Sequence, residues 1–405
     1  MANKIDTDIT KIEDILSRAV EDIIVKEDLK EKLLSGKKLR IKFGIDPTGP
    51  SIHLGRAVPL WKLRAFQDLG HQIVLIIGDF TATIGDPSDK LEKRPMLDKK
   101  IIEKNMKEYK KIIGKIINIK KAEFTYNSSW LKKLNFAEIS QLAESFSVQQ
   151  MSSRRNFKDR IDKGVDISLR EFLYPLMQGY DSVAVKADVE LGGCDQLFNL
   201  KAGRVIQKHY GQREQDVLTT AMLEGTDGRK MSTSWGNVIL ITDTAADMFG
   251  KIMSLHDDLI GKYLLLTTDT STTEIEKIKA EIAAGANPRD AKVLLGKKVV
   301  ARYYGEKEAE AAYEAFINTF QKKEIPDDIE VVKMETGEKL GDILVRAKVV
   351  ESKSEFRRLV EQGGVHKLTG VESNEKGEGE KVEDQFVVAE AGTYKIGKRR
   401  FIKIT

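Results

Sequence analysis

Residues Phe43–Arg56 read FGIDPTGPSIHLGR. A short strand-like run, Leu39–Phe43, leads into them, and in the amphipathic run that follows Leu54, Val58, Trp61, Leu63, Phe66 and Leu69 keep helical spacing. Next comes Ile73–Ile77, apolar throughout, the pattern of a strand buried on both faces of a parallel sheet. Strand, loop, helix and strand make a βαβ unit, and ligands of such sheets bind beyond the carboxyl ends of the strands. Gly44, Gly49, Pro47 and Pro50 shape the loop, Gly55 lets a ligand approach the first helical turn, and the free N–H groups there favour an anion. The stretch has neither the GK[ST] of a P-loop nor the GxGxxG of a dinucleotide fold; it offers His53 beside a helix start, with Asp46 and Thr48 upstream. A histidine near a glycine is more often structural than functional, so a phosphate site needs a second element.

That element is GRKMSTS, Gly228–Ser234, in a loop punctuated by Gly225, Gly228 and Gly236 that reads as one able to move. Composition sets the frame around both. A chain of 405 residues has length for two or three domains, and 41% hydrophobic with 32% charged content fits a globular protein in water. The net charge of +4 is compatible with a nucleic-acid partner without demanding one. A single cysteine, Cys194, excludes an internal disulfide and a cysteine-rich metal site and suits a reducing compartment. The acidic, amphipathic start does not look like a signal or transit peptide, and no apolar run approaches the roughly 18 residues of a membrane span, so a cytoplasmic protein with no membrane contact is expected.

Ile12, Ile15, Leu16, Ala19 and Ile23 keep a helical period ahead of Lys38. Leu97–Ile117 reads as a long helix and Phe136–Phe146 as another after the turn residues Asn127–Ser129, an insertion between the two halves of the sheet. Lys90, Lys93 and Arg94 form a basic cluster in a loop, facing either solvent or phosphates. Ser168 and Glu171 make an S-x-x-E capping box that starts a helix near Leu169, and Tyr174, Gln178 and Asp181 then share one face of it. Pro175 predicts a kink in that helix. Ser182–Val189 reads as the next strand, before the turn at Gly192 and Gly193, and Val217–Leu223 as a further one. After Thr244 the chain turns helical: Thr273 with Glu276 reads as a capping box, and Asn287–Pro288 as a cap with proline at the first helical position. A last helix over Lys307–Phe320 precedes a polar linker and a small domain whose positive charge is local, at Lys353, Arg357, Arg358 and Lys398–Arg400.

Taken together, HLGR and KMSTS resemble the two ATP-binding signatures of class I aminoacyl-tRNA synthetases. GDFTATIGDPS (Gly78–Ser88), YPLMQGYD (Tyr174–Asp181) and GGCDQLFNL (Gly192–Leu200) narrow the resemblance to bacterial tyrosyl-tRNA synthetases, and it covers almost the whole chain. The resemblance implies an α/β fold: a Rossmann-like parallel-sheet catalytic domain over 1–243 with the helical insertion at about 97–165, and an all-α anticodon-binding domain over 244–322. A linker over 323–337 and a small S4-like α+β RNA-binding domain over 338–405 complete it. It also implies a homodimer joined through the insertion, and the partners tyrosine, ATP with Mg2+, and tRNA(Tyr).

Carried onto this chain, the resemblance assigns Thr48, His53, Lys90, Arg94 and Lys230 to the transition state of tyrosine activation. ATP would lie against Gly44, Asp46, Thr48, His53, Gly55 and Arg56 on one side. Gly192, Asp195, Lys230, Met231 and Ser232 would meet it on the other. Asp86, Tyr174 and Gln178 would hold the amino acid's ammonium group, Gln196 its carboxylate and Asp181 its phenolic hydroxyl. Lys353, Arg357 and Arg358 would contact RNA. Three residues depart from the family pattern. Arg56 stands where a second histidine is usual, and Thr233 where KMSTS usually has a second lysine, so slower or differently gated activation is expected. Lys42 stands where well-known members carry a tyrosine that helps bind the substrate hydroxyl; it either pairs with Asp181 in the tyrosine pocket or faces elsewhere. The competing readings are a tryptophan–tRNA ligase of the same architecture and a synthetase-derived RNA-binding protein without activation activity.

Overall fold

Six strands carry the site: β1 (Val20–Ile24), β2 (Arg40–Ile45), β3 (Gln72–Ile77), β4 (Glu123–Tyr126), β5 (Val189–Gly193) and β6 (Asp216–Thr220), in the order β1-β6-β5-β2-β3-β4. β1 lies antiparallel to β6; every other pair is parallel. The computed structural model describes residues 5–47, 49, 51–87, 99–232, 235–320, 329–335, 337–368, 379–397 and 400–405. They fall into two compact units, Met1–Gly305 and Glu306–Thr405.

In the first unit Ile73–Ile77 is buried along its whole length, as its unbroken apolar run requires. The chain leaves β2 for β3 and β4 on one side and returns through β5 and β6 on the other. The strand order therefore reverses between β2 and β5, and a crevice opens beyond their carboxyl ends. The Leu54–Asp68 helix, capped by His53, follows β2 after the loop that begins at Asp46. Its partner across the crevice is the Leu169–Val185 helix, begun by Ser168 in a complete capping box with Glu171.

Several boundaries differ from the sequence expectation, each for a local reason. The N-terminal helix stops at Ser17, and Ala19 takes a left-handed conformation (φ 55°) that turns the chain into β1, so Ile23 belongs to a strand. Ser182–Val185 is helix, not strand: the helix continues through Pro175 and ends at Lys186, left-handed with φ 52°. There Val183 joins Leu176 and Ile206 in a buried cluster, and this packing overrides the β preference of the valines. The strand follows at Val189. Ser271, not Thr273, caps the Thr272–Ala283 helix, accepting the Glu274 N–H at 3.2 Å. Asn287 caps the Pro288–Tyr304 helix as expected, accepting the Arg289 N–H at 3.0 Å.

The second unit begins with the Glu306–Phe320 helix and contains β7 (Glu330–Val332), β8 (Val365–Leu368), β9 (Gly379–Lys381), β10 (Gly392–Ile396) and β11 (Arg400–Ile404), in the order β7-β11-β10-β8-β9. The Leu340–Arg346 and Lys353–Glu361 helices supply Ile343, Leu344 and Phe356 to a core shared with Ile396 and Ile402. β7 falls in the stretch read as linker and pairs in parallel with β11, Glu330 opposite Ile402.

Candidate active site

The crevice holds a cavity of about 290 Å³, bordered by residues that follow four parallel strands: Asp46 after β2, Gly78 after β3, Cys194–Gln196 after β5 and Ala221–Leu223 after β6. Its lining is polar at both ends, with distinct chemistry at each.

At the open end the two signature motifs meet. Leu54 N–H donates to Ile239 O at 2.8 Å and Ile241 N–H to Ile52 O at 3.0 Å, so the backbone around His53 is zipped to the segment just beyond KMSTS. Gly55 packs against the same motif: a Cβ there would lie 3.2 Å from Met231 Sδ and 3.2 Å from His53 Nδ1. His53 is the N-cap of its helix, its Nδ1 accepting the Arg56 N–H at 3.3 Å. Burial, with Arg56 and Lys230 nearby, brings its pKa down to about 4. At neutral pH the ring is therefore uncharged, and with Nδ1 as acceptor its proton sits on Nε2, a donor for an anion. Arg56 Nη1 reaches the Tyr109 hydroxyl at 3.3 Å. The second motif is shaped by Asn237, whose side chain donates to Asp227 Oδ1 (2.8 Å) and Lys230 O (3.1 Å) and accepts from Ser232 N (2.8 Å). Lys230 and Met231 line the cavity; Ser232 does not.

Between the ends, Asp46 accepts from Thr81 Oγ1 at 2.7 Å and from the Tyr174 hydroxyl at 2.8 Å. Gly78 is obligatory here, because a Cβ would fall 1.9 Å from Asp46 Oδ1. Burial and the Asp46 carboxylate raise the pKa of Tyr174 well above the usual phenol, which keeps it a donor. Gln196 Nε2 donates to Asp86 Oδ2 at 2.8 Å. Asp86, Tyr174, Gln178 and Gln196 all line the cavity, as do Gly44, Gly192 and Asp195.

At the closed end Asp181 is 4% exposed. Trp130 Nε1 donates to its Oδ1 at 2.7 Å and Asn127 Nδ2 to its Oδ2 at 3.3 Å. The Asn127 amide cannot be turned round, since its Oδ1 takes the Phe80 N–H at 3.0 Å. Each Asp181 oxygen keeps a lone pair for a further donor. Burial pushes the carboxyl pKa up to about 7, against the opposing pull of Lys42 and the two hydrogen bonds.

Lys42 corrects the sequence expectation. It is fully buried, does not line the cavity and makes no bond to Asp181; its ammonium contacts Gln178 O (2.8 Å), Ser182 Oγ (2.7 Å) and Glu190 Oε1 (2.9 Å). All three of its N–H groups are used, so none is left for a ligand. Thr48, Lys90 and Arg94 lie outside the described residues, as does Thr233. Lys353, Arg357 and Arg358 belong to the second unit, where Lys353 pairs with Asp342 and Arg357 with Glu361. Sequence reasoning missed Gly78, Thr81, Tyr109, Asn127, Trp130 and Asn237; Asn127 was visible only as a turn residue, because its partners lie 46 and 54 positions away.

The chain matches known proteins in both sequence and fold. The family described as tRNA synthetases class I (W and Y) matches residues 34–321. A tyrosine–tRNA ligase of Thermotoga maritima is 46% identical over 396 residues, 96% of this chain and 96% of its own length. One from Shewanella oneidensis is 46% identical over 96% of this chain and 97% of its own. Among solved structures, a C-terminally truncated mitochondrial tyrosyl-tRNA synthetase of Aspergillus nidulans superposes with a TM-score of 0.63 at 24% identity, covering 76% of this chain and 94% of that one, and so shares the fold.

The raised Asp181 pKa has a consequence for stability. Between its unfolded value near 4 and its folded value of about 7 the folded state binds the proton more tightly, so this group makes the fold less stable as pH rises through that window. Relative to Asp181→Asn, the unliganded wild-type chain is expected to lose melting temperature from pH 4 to pH 7 and to run parallel above it. Differential scanning calorimetry across that range checks this; a constant difference would mean that Asp181 is ionised throughout.

Proposed function

The chain belongs to the tyrosine–tRNA ligases of the class I tRNA synthetase family, and from that premise we propose how its cavity performs the reaction. The tyrosine carboxylate attacks the α-phosphorus of ATP; the new O–P bond forms as the α–β anhydride breaks, and pyrophosphate leaves with the bonding pair. A hydroxyl of the tRNA 3′ end then attacks the activated carbonyl and expels AMP. Neither step needs a protein nucleophile. The protein contributes alignment and stabilisation of the charge that builds on the leaving phosphates.

In this reading the open end of the cavity takes ATP, with the His53 Nε2–H, the helix start at Leu54, Arg56 and Lys230 as donors to its phosphates. Thr48, Lys90 and Arg94 remain assigned to the same task. Gly44, Asp46, Gly192, Asp195, Met231 and Ser232 border the nucleotide. Mg2+ enters with ATP, held mainly by phosphate oxygens. Asp86, Tyr174 and Gln178 receive the ammonium group of tyrosine, and Gln196 lies near its carboxylate. The observation that carries the amino-acid assignment is Asp181: a buried carboxylate on the cavity wall, already oriented by Trp130 and Asn127 and with lone pairs to spare. A phenolic hydroxyl satisfies it; phenylalanine would strand it, which costs more than the bond gains.

The domain expected over 244–322 is proposed to read the anticodon arm, and the S4-like tail, through Lys353, Arg357 and Arg358, to hold tRNA(Tyr). A homodimer is proposed through the helical insertion, where Phe136 and Val148 are 85% and 79% exposed. No described helix is long and apolar enough to cross a membrane, and work in the cytoplasm is the proposed setting.

ATP–pyrophosphate exchange with each amino acid tests the reading. Exchange driven by tyrosine is expected; exchange driven by tryptophan alone, or by no amino acid, would overturn it. Within that assay Asp181→Ala should raise the KM for tyrosine by about tenfold or more and leave the KM for ATP nearly unchanged. Lys230→Ala should lower the activation rate more than the affinity for tyrosine. Equal losses for both substrates in the first variant, or an affinity loss alone in the second, would contradict the assigned roles.

A further inference from the structure

Behind the cavity wall lies a buried ion pair, Lys42 with Glu190, that the reaction scheme leaves unused. Glu190, on β5, is fully buried, and so is Lys42 on the neighbouring strand β2. Glu190 Oε1 contacts the Lys42 ammonium at 2.9 Å and accepts from Gln178 Nε2 at 3.1 Å. Its Oε2 accepts from Ser182 Oγ at 3.0 Å and from Gln215 Nε2. Four donors fill the four acceptor sites of one carboxylate, and the three N–H groups of Lys42 are likewise all used. The fold leaves room for this group deliberately at one point: a Cβ on Gly203 would lie 2.3 Å from Gln215 Nε2, 2.8 Å from Ser182 Oγ and 3.0 Å from Glu190 Oε2.

Of the side chains in this group, only Gln178 also borders the cavity. Its amide has two chemically opposite ends. A carboxylate accepts and never donates, so Glu190 can meet only the NH₂ end, and the carbonyl end is directed away from it. Were the amide reversed, Gln178 Oε1 would face a carboxylate oxygen across a partly buried contact, with neither able to donate.

We propose that the Lys42–Glu190 ion pair is a positioning device for amino-acid recognition, which fixes the polarity of the Gln178 amide so that an acceptor, not a donor, is offered to the substrate's ammonium group. Lys42 balances the charge of Glu190 and, through its bond to Gln178 O, ties strand β2 to the helix turn that carries the amide. A group that takes no part in contacting substrate thus selects for a cationic amino group at this point of the pocket. The proposal rests on the assignment of Gln178 to the tyrosine ammonium group.

The test is a cycle of exchange kinetics on the full chain. Lys42→Met/Glu190→Gln removes both charges at nearly constant shape, and a buried pair replaced as a pair need not cost stability. The new amide at position 190 can meet Gln178 with either end, so its polarity is no longer fixed. Expected is a rise of about tenfold in the KM for tyrosine, with kcat, the KM for ATP and the melting temperature close to wild type. Gln178→Ala should raise the tyrosine KM in the wild-type chain and add much less in the double variant, the coupling expected if the pair acts through Gln178. An unchanged tyrosine KM in the double variant, or losses that multiply independently, overturns the proposal while leaving the pocket assignment intact. No effect of Gln178→Ala in the wild-type chain overturns both. A tyrosine-bound crystal structure of the unmodified chain decides the matter even if the variants misfold: the ammonium should touch the end of the Gln178 amide opposite Glu190, and any other contact, or none, counts against it.

Discussion

The Asp181 carboxylate is buried at the inner end of the cavity without a direct ion pair among the described residues, and the arrangement of the first unit follows from keeping it there as an acceptor. Trp130 and Asn127 orient it, and the Phe80 N–H in turn fixes Asn127. The cost of this arrangement is visible in its pKa of about 7, displaced by burial. Lys42 moderates that cost from the next layer without neutralising it, because its ammonium is committed to Glu190. A carboxylate paired directly with lysine would have little acceptor strength left for a phenol; one with no cation nearby would be held more firmly in its protonated form.

The opposite end of the cavity is governed by backbone rather than side chains. The hydrogen bonds of Leu54 and Ile241 join two segments more than 180 positions apart, and Gly55 lets Met231 approach the first helical turn. The neutral His53 ring, held by its own helix start, then offers a proton without adding a fixed charge. Between the two ends, Asp46 and Gly78 make a rigid floor in which a glycine is demanded by contact, not by conformation.

The stripe of Tyr174, Gln178 and Asp181 was legible because helical periodicity is local and the capping box at Ser168 fixed its phase. So was the loop from Phe43 to Arg56, whose glycines, prolines and histidine lie next to one another in the chain. What escaped depends on distant partners. Val183 and Val185 look like strand residues until Val183 is packed against Ile206 of the Leu197–His209 helix and Val185 against Val74 and Ile76 of β3, and Val20–Ile24 is a strand only because β6 is there to pair with it. Lys42 was legible as an anomaly but not as a role: β2 could turn it toward Asp181 or Glu190, and no local rule decides between two carboxylates supplied by other elements. Asn127 could be read only as a turn residue and Trp130 not at all, since nothing within their own segment marks them as partners of Asp181.

The most direct test of the account is a crystal structure of the chain with tyrosine and a non-hydrolysable ATP analogue. The phenolic oxygen should lie within hydrogen-bonding distance of Asp181, with the phosphates over the helix start at His53 and the Lys230 side chain turned toward them. A ligand seated with its ring at the open end, or an Asp181 carboxylate still without a ligand partner in the occupied site, would contradict it.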